Sequence, residues 1–275
     1  MKRYRAMTAM MLLAMTTAFA QSSQFYLEDK LGEGLQTRIY LSANPEAKSQ
    51  VQEALYAAVD HARDSLNKMQ TELDGINQKK VKDNFMISEE LAKAIQAGLN
   101  LCEKTEGRFD ITTGGSYKKI KVDTKNNSLK ITADGMQINL QPMLKGFLAD
   151  LIADDLAKAG WGNALVKIAG VTVTRGNNDH TPWTIPVLVP SEKVAKRVFY
   201  YKTKQEQAAG ATSPPASGMS DLKSVTIFSK TGADSEGLAA TVLNMGMEEG
   251  KKFMAQNKNL GAVFIDSQDN LTHVP

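Results

Sequence analysis

The chain has 275 residues, with 33 lysines and arginines against 30 aspartates and glutamates, and its formal net charge is +3. Three of the basic residues lie within the first five positions, so the rest of the chain is formally neutral. It therefore lacks the basic patch that binding to nucleic acid or to an anionic membrane requires. The single cysteine, Cys102, excludes an intramolecular disulfide, so a hydrophobic core has to hold the fold.

The first twenty residues are typical of a secretory signal peptide. A basic start at residues 2–5 is followed by an apolar stretch of Met, Leu and Ala. The segment ends in Ala18-Phe19-Ala20, the small-x-small pattern that a signal peptidase recognises. The apolar stretch is shorter than the roughly 20 residues that span a bilayer. We expect cleavage before Gln21, which leaves a periplasmic domain over residues 21–275 with no membrane span.

The first half of the mature chain alternates between strand and helix patterns. Two strands are predicted at residues 24–29 and 35–42. A long helix with one apolar stripe follows, capped by Asn44. A second helix begins after Ser88 and stops near Gly107, because serine is a good N-cap and glycine a good helix end.

The second half continues this alternation. The predicted elements are short strands within 118–140, a helix over 142–159, strands at 164–173, 183–189 and 197–203, and a final strand, helix and strand over 224–228, 235–256 and 262–266. A stretch rich in Ala, Gly, Ser and Pro over residues 205–221 is predicted to be a loop. The order of elements indicates the α/β class, with mixed sheets packed against several helices in α/β or α+β layers.

Residue types alone identify two segments that could carry chemistry. Residues 138–146 run from a strand into a helix start, where free N–H groups and Lys145 favour a phosphate; the alternative is an ordinary helix start. At the start of the last helix, Asp234 and Glu236 offer oxygen ligands for Mg²⁺. The alternative there is a helix cap with acidic residues in its first turn. The three histidines and Cys102 show no zinc-ligand spacing, and no hydrolase or Walker motif is present.

Five segments occur in an informative order. They are residues 106–115 (EGRFDITTGG), 138–150 (INLQPMLKGFLAD), 163–170 (NALVKIAG), 182–185 (PWTI) and 224–246, which runs from a strand into the last helix. Together they resemble the segments of the ApbE family, the FAD:protein FMN transferases, over almost the whole mature chain. The resemblance implies that family's fold.

The resemblance also implies an activity and a set of site residues. The activity is transfer of FMN from FAD to a threonine hydroxyl of an exported flavoprotein, with AMP leaving and Mg²⁺ assisting. Six residues are assigned to flavin binding: Arg108, Phe109, Asp110, Asn139, Lys145 and Gly146. The metal is assigned to Glu236 and Thr241, and no catalytic residue is assigned. The expected partner is the acceptor flavoprotein or a related enzyme, and a homodimer is left open.

Several positions depart from the family's pattern. Asn139 stands in place of an Asp, and Glu236 in place of the metal-binding Asp. The position of the metal-ligating Thr holds Ala240, with Thr241 about 100° further around the helix. Between residues 213 and 224 the family's His and its Asp-Pro-Arg-Thr-Gly loop are missing.

Three functions follow from this mixture of retained and altered segments. The first is an active FMN transferase. The second is a module that binds FAD or FMN without transferring it, and the third is a protein that docks on a partner without flavin. We take the active transferase as the leading interpretation because the flavin segments are retained in order.

Overall fold

The computed structural model describes residues 22–79, 82–188, 198–202, 207–213 and 221–274. The predicted signal peptide, residues 1–20, lies outside the described residues. The α-helices within the described residues are α1 (Lys48–Lys79), α2 (Glu89–Lys104), α3 (Gln141–Lys158) and α4 (Gly232–Gln256). None of these helices combines the length and the apolar character that crossing a bilayer requires.

The strands are short, and they pair with antiparallel neighbours. Those in the first half are β1 (Ser23–Lys30), β2 (Gln36–Ala43), β3 (Asp83–Met86), β4 (Thr112–Thr113), β5 (Ile120–Asp123), β6 (Ser128–Ile131) and β7 (Gln137–Ile138). Those in the second half are β8 (Ala164–Ile168), β9 (Val171–Arg175), β10 (Asn177–Asn178), β11 (Thr181–Pro182), β12 (Thr184–Leu188), β13 (Val198–Lys202), β14 (Gln207–Ser213), β15 (Leu222–Ser229), β16 (Gly261–Asp266) and β17 (Leu271–Val274). The predicted α/β class, with mixed sheets and several helices, is confirmed.

Both predicted helix caps are present. The side-chain oxygen of Asn44 accepts a hydrogen bond from the N–H of Glu46 at 3.0 Å, in a short 3-10 turn that leads into α1. The hydroxyl of Ser88 accepts from the N–H of Leu91 at 3.4 Å at the start of α2. These local bonds satisfy N–H groups that a helix start leaves without partners, which is why the sequence could place both helices.

An eight-stranded antiparallel sheet forms the centre of the molecule, in the order β1-β2-β8-β9-β14-β15-β16-β17. Helices α3 and α4 pack on one face, and α1 packs against α3. The β12–β13 hairpin covers part of the other face, where Ile185 and Val187 meet Phe228. Neighbouring residues of one strand point to opposite faces, so Ile227 belongs to the main core and Phe228 to this second cluster.

The loop predicted over residues 205–221 is wrong for residues 207–213, which form β14 in the middle of the large sheet. This strand pairs with β9 on one side and β15 on the other. The glycine at position 210 reflects tight packing, because a Cβ on Gly210 would lie 2.9 Å from Ile185 and 3.1 Å from the ring of Phe228. A composition rich in Ala and Gly, which is typical of a flexible loop, here belongs to a strand that is packed closely against its neighbours.

The segment predicted as one strand over 164–173 is also different. It folds as the hairpin β8–β9, with the turn at Ala169 and Gly170, whose φ values are 40° and 95°. The last strand, β17, was not predicted. It pairs with β16 at one edge of the sheet.

Helix α4 begins earlier than predicted and is interrupted. Its first turn is capped by Thr231, whose hydroxyl accepts from the N–H of Asp234 at 3.2 Å. At Gly246 the backbone leaves the helical region, with φ 74° and ψ −175°. The carboxylate of Asp221 then accepts from the N–H of Met247 at 3.2 Å, so the second part of the helix has a cap of its own.

Candidate functional site

The first two of the five segments meet at a short ladder. Strand β4, in segment 106–115, pairs with β7, at the start of segment 138–150. The N–H of Asn139 continues the contact by donating to the carbonyl of Ile111 at 2.7 Å. The structure therefore brings together two segments that are far apart in the sequence.

A side chain of α1 holds the same ladder from another direction. Asn77 donates through Nδ2 to the carbonyl of Ile138 and accepts through Oδ1 from the N–H of Ile138, each at 2.8 Å. One amide side chain thus satisfies both backbone groups of Ile138, as a neighbouring strand would. This residue was missed by the sequence analysis, because nothing in the pattern of α1 distinguishes Asn77 from its other polar residues.

A cleft of about 340 Å³ opens between α1, the β4–β7 ladder and the start of α3. It mixes apolar side chains with amide, carboxylate and hydroxyl groups. Its lining residues are Leu66, Met69, Gln70, Leu73, Asp74, Asn77, Thr113, Gln137, Ile138, Asn139, Leu140, Gln141 and Leu144. Small-molecule sites commonly combine an apolar wall with a few placed polar groups, and this cleft is the candidate binding site.

Asp110 and Asn139 organise the backbone beside the cleft. The Oδ1 atom of Asp110 accepts from both the N–H and the hydroxyl of Thr112, at 2.8 and 2.7 Å. The Oδ1 atom of Asn139 accepts from the N–H of Gln141 at 3.0 Å. Of the two, Asn139 lines the cleft, and its amide nitrogen has no hydrogen-bond partner among the described residues, so it is free to meet a ligand.

Arg108 and Phe109 lie elsewhere. The ring of Phe109 is buried and packs on α4, because a Cβ on Gly237 would lie 3.1 Å from its edge. Arg108 is about half exposed, forms an ion pair with Glu249, and lines a different groove between the end of α2 and the second part of α4. The flavin contacts assigned to these two residues stay predictions. In the structure, Phe109 is part of the core and Arg108 lies at the surface.

The second half of segment 138–150 lies in α3, where that helix crosses α4 with their backbones in contact. A Cβ on Gly146 would lie 2.0 Å from the carbonyl oxygen of Gly232, and a Cβ on Gly232 would lie 2.5 Å from the carbonyl oxygen of Gly146. Only glycine fits at either position. Gly146 therefore has a packing role that is sufficient to explain its presence.

This crossing places Glu236 beside two donors of α3. Its Oε2 atom accepts from the N–H of Gly146 at 2.8 Å, and its Oε1 atom forms an ion pair with the ammonium of Lys145. The Glu236 side chain is 10% exposed and that of Lys145 is 33% exposed. Burial raises the pKa of Glu236, while the charge and hydrogen bond of Lys145 oppose that rise.

Thr241, the other predicted metal ligand, has a different partner. Its hydroxyl donates to the carbonyl of Gly237 in the preceding turn at 2.8 Å. Five positions along an α-helix correspond to about 140° of rotation, so Glu236 and Thr241 do not project from the same face. Within the residues that the structure describes, no group of three or more His, Cys, Asp or Glu side chains is arranged to hold a metal ion.

Asp150, the last residue of segment 138–150, was not among the predicted site residues. Its carboxylate accepts from the N–H groups of Gly232 and Ala233 at 2.9 and 3.1 Å, and the guanidinium of Arg175 lies 3.4 Å away. Burial raises the pKa of Asp150 to about 6, against the lowering effect of these donors. The side chain of Asp150 anchors the first turn of α4. The one feature of the sequence that could have identified Asp150 is its position at the end of segment 138–150.

Solved structures of flavin transferases share this fold. The flavin transferase ApbE from Vibrio cholerae matches with a TM-score of 0.74 at 21% identity, over 92% of this chain and 97% of its own. The apo form of the flavinyl transferase ApbE from Pseudomonas stutzeri matches with a TM-score of 0.75 at 18% identity, over 94% and 96%. The central sheet, the helices and the cleft therefore define a protein with the flavin transferase fold.

Sequence comparisons give the family. The model of the ApbE family matches residues 115–264, which is more than half of the chain, and the chain belongs to the ApbE family. The FAD:protein FMN transferase of Buchnera aphidicola is 24% identical over 244 residues, which cover 70% of this chain and 72% of the relative. That of Haemophilus influenzae is 23% identical over 283 residues, covering 84% and 81%.

Proposed function

We propose that this protein is an FAD:protein FMN transferase that acts on an exported flavoprotein. The observation that carries the proposal is the cleft, because two of the five family-like segments meet there and Asn139 lines it. Family membership and relatives named FAD:protein FMN transferase support the same activity.

The proposed reaction is a phosphoryl transfer with a simple balance. The oxygen of a threonine hydroxyl attacks the phosphorus of the FMN half of FAD, and a new phosphorus–oxygen bond forms. The bond from that phosphorus to the bridging oxygen breaks, AMP leaves with that oxygen, and the hydroxyl proton passes to a base. The contribution of the chain itself is binding and orientation in the cleft, which brings the reacting atoms together.

Magnesium is not part of this proposal. The resemblance implies a Mg²⁺ ion at Glu236 and Thr241, but each of these side chains already has a protein partner, and they project from different faces of α4. Mg²⁺ requires near-octahedral oxygen coordination, which this pair does not offer.

The binding half of the proposal is tested by blocking the cleft. Gln70 lines it with an exposed side chain on α1, so Gln70→Trp fills the space without disturbing the core. Lys68→Trp, an exposed position of the same helix outside the cleft, is the matched control. We expect FAD binding, followed by flavin fluorescence, to be lost in Gln70→Trp and retained in Lys68→Trp. Wild-type affinity in Gln70→Trp would place the flavin elsewhere.

The transfer half is tested with FAD and an exported flavoprotein domain that offers an acceptor threonine. The expected products are FMN attached to the acceptor threonine, detected by peptide mass, and an equal amount of AMP. Tight FAD binding without either product would instead identify a flavin-binding protein that does not transfer.

Export is a further part of the proposal. The signal-like pattern of residues 1–20 and the expected acceptor, an exported flavoprotein, both support the proposal of a periplasmic location. Sequencing of the mature N-terminus is expected to give Gln21 as the first residue, and an intact Met1 in the cytoplasmic fraction would contradict this localisation.

A further inference from the structure

The carboxylates around the start of α4 are each matched by a donor from another element. Asp234 forms an ion pair with Lys104 of α2 at 2.6 Å. Asp150 of α3 accepts from the N–H groups of the first turn of α4. Glu236 is paired with Lys145 of α3. Charge balance in this region therefore comes from side chains and backbone of the chain itself.

One oxygen of Glu236 is hydrogen-bonded and the other is ion-paired, and the ion-paired Oε1 makes no hydrogen bond within the described residues. The N–H of Gly146 donates a hydrogen bond to Oε2, and the ammonium of Lys145 forms an ion pair with Oε1. These two donors belong to adjacent residues of α3, and the backbone contact between Gly146 and Gly232 fixes their distance from α4. A divalent cation at this carboxylate would have to displace the ammonium or lie beside it, and a like charge at such short range is unfavourable.

The other candidate ligands of α4 near Glu236, the side chains of Asp234 and Thr241, each have a partner of their own. The hydroxyl of Thr241 is bonded within its own helix, and the position one turn after Glu236 is Ala240, whose side chain has no ligating atom. Mg²⁺ gives up its water reluctantly and prefers several oxygen ligands in octahedral geometry. One buried carboxylate with two donors is a poor site for it.

We propose that the ammonium of Lys145 takes the place of the divalent cation at Glu236, so that this protein binds its flavin substrate without Mg²⁺. Lys145 is then a fixed positive charge at the α3–α4 crossing, held by Glu236, with a third of its side chain still open to solvent. The part of this inference that concerns flavin rests on the proposed function, whereas the part that concerns the metal does not.

The metal part is tested with Mn²⁺ alone, observed by electron paramagnetic resonance as the loss of the free-ion signal on adding protein. We expect wild type and Glu236→Gln to leave the same fraction of Mn²⁺ free. A site in the wild type that binds Mn²⁺ and is lost in Glu236→Gln would overturn the inference. Thr241→Val serves as a second comparison, since loss of Mn²⁺ binding in that variant would equally restore the metal assignment.

The flavin part is tested by measuring FAD affinity in the wild type with EDTA and with added Mg²⁺. We expect equal affinities in the two conditions. We also expect about tenfold weaker binding for Lys145→Met, which keeps the apolar stem, with no recovery on adding Mg²⁺. An increase of about tenfold on adding Mg²⁺ to the wild type would overturn the inference. If FAD binds in neither condition, the proposed function fails, while the Mn²⁺ comparison still decides the metal question.

Discussion

The two halves of segment 138–150 have different roles, although a single resemblance covers both. The first half, from Ile138 to Gln141, lies beside the cleft and presents Asn139 to it. The second half lies in α3, where Gly146 and Asp150 contact the start of α4. A family segment can thus contain residues that line a cleft and residues that pack against another helix side by side, and only their contacts separate the two kinds.

The two regions also differ in what their side chains leave free. At the α3–α4 crossing, the carboxylates of Glu236 and Asp150 are held by hydrogen bonds and an ion pair to other groups of the protein. Beside the cleft, the backbone is fixed by Asn77 and the strand ladder while the lining side chains face open space. The comparison predicts that substitutions of Gly146 and Asp150 at the crossing act mainly on stability, and that substitutions beside the cleft act mainly on ligand binding.

The largest effect is expected for Gly146→Ala. The new Cβ would overlap the backbone of Gly232, so the two helices have to move apart, and the cost is about 3 kcal/mol or more in the free energy of unfolding. Gly75→Ala is the matched control, since Gly75 is also within a helix but has open space around it. That change is expected to stabilise by roughly 0.5–1 kcal/mol. Urea unfolding measures both, and a similar result for the two variants would show that the crossing is not tightly packed.

A smaller effect, dependent on pH, is expected at Asp150. Its pKa in the folded protein is raised from 3.8 to about 6, so the folded state favours the neutral acid. The contribution of this raised pKa to the free energy of unfolding is fully present below pH 4 and is lost as the pH rises through about 6. A pKa difference of about 2 units between the folded and unfolded protein corresponds to roughly 3 kcal/mol as an upper value.

Asp150→Asn removes that titration. The difference in unfolding free energy between this variant and the wild type is expected to move in favour of the variant between pH 4 and pH 7. Equal pH slopes in the two proteins would mean that the donors around Asp150 outweigh its burial.

The smallest effect on stability, with a measurable effect on binding, is expected for Asn77→Ala. Both backbone groups of Ile138 lose their partner, at a cost of about 1–2 kcal/mol. Because Asn139 follows directly, FAD affinity is expected to fall by about tenfold. Asn67→Ala, on the exposed face of the same helix, is the control and is expected to leave FAD affinity unchanged and to cause no loss of stability. A loss of stability with unchanged FAD affinity would separate the ladder from the binding site.

Local signals account for most of what the sequence predicted correctly. Caps such as Asn44 and Ser88 and the regular apolar stripe of α1 act within a few residues, so they were readable in advance. Strand β14 was missed because its small residues are explained by neighbours that are distant in the sequence, above all Ile185 and Phe228 against Gly210. A composition rich in Ala and Gly cannot distinguish a loop from a strand between crowded layers.

The site shows the same limit. The place of Asn139 beside a cleft agrees with the family resemblance, and the resemblance also pointed to the segment that ends at Asp150. The part played by Asn77 depends on a contact with Ile138 across 61 positions. The pairing of Glu236 with Lys145 depends on two helices crossing at glycines. Neither contact has a signature in the sequence of its own element.

The break at Gly246 has a consequence for how this protein tolerates change. The helix α4 is interrupted at Gly246 and restarts with Asp221 as its cap. The directions in which side chains project from the second part of α4 are therefore set independently of those in the first part. An inserted or deleted residue between Met247 and Glu249 would rotate the later side chains of the helix, including Glu249, which pairs with Arg108, without rotating Glu236. The end of this helix can therefore change in length and pairing while the orientation of its first turns is preserved.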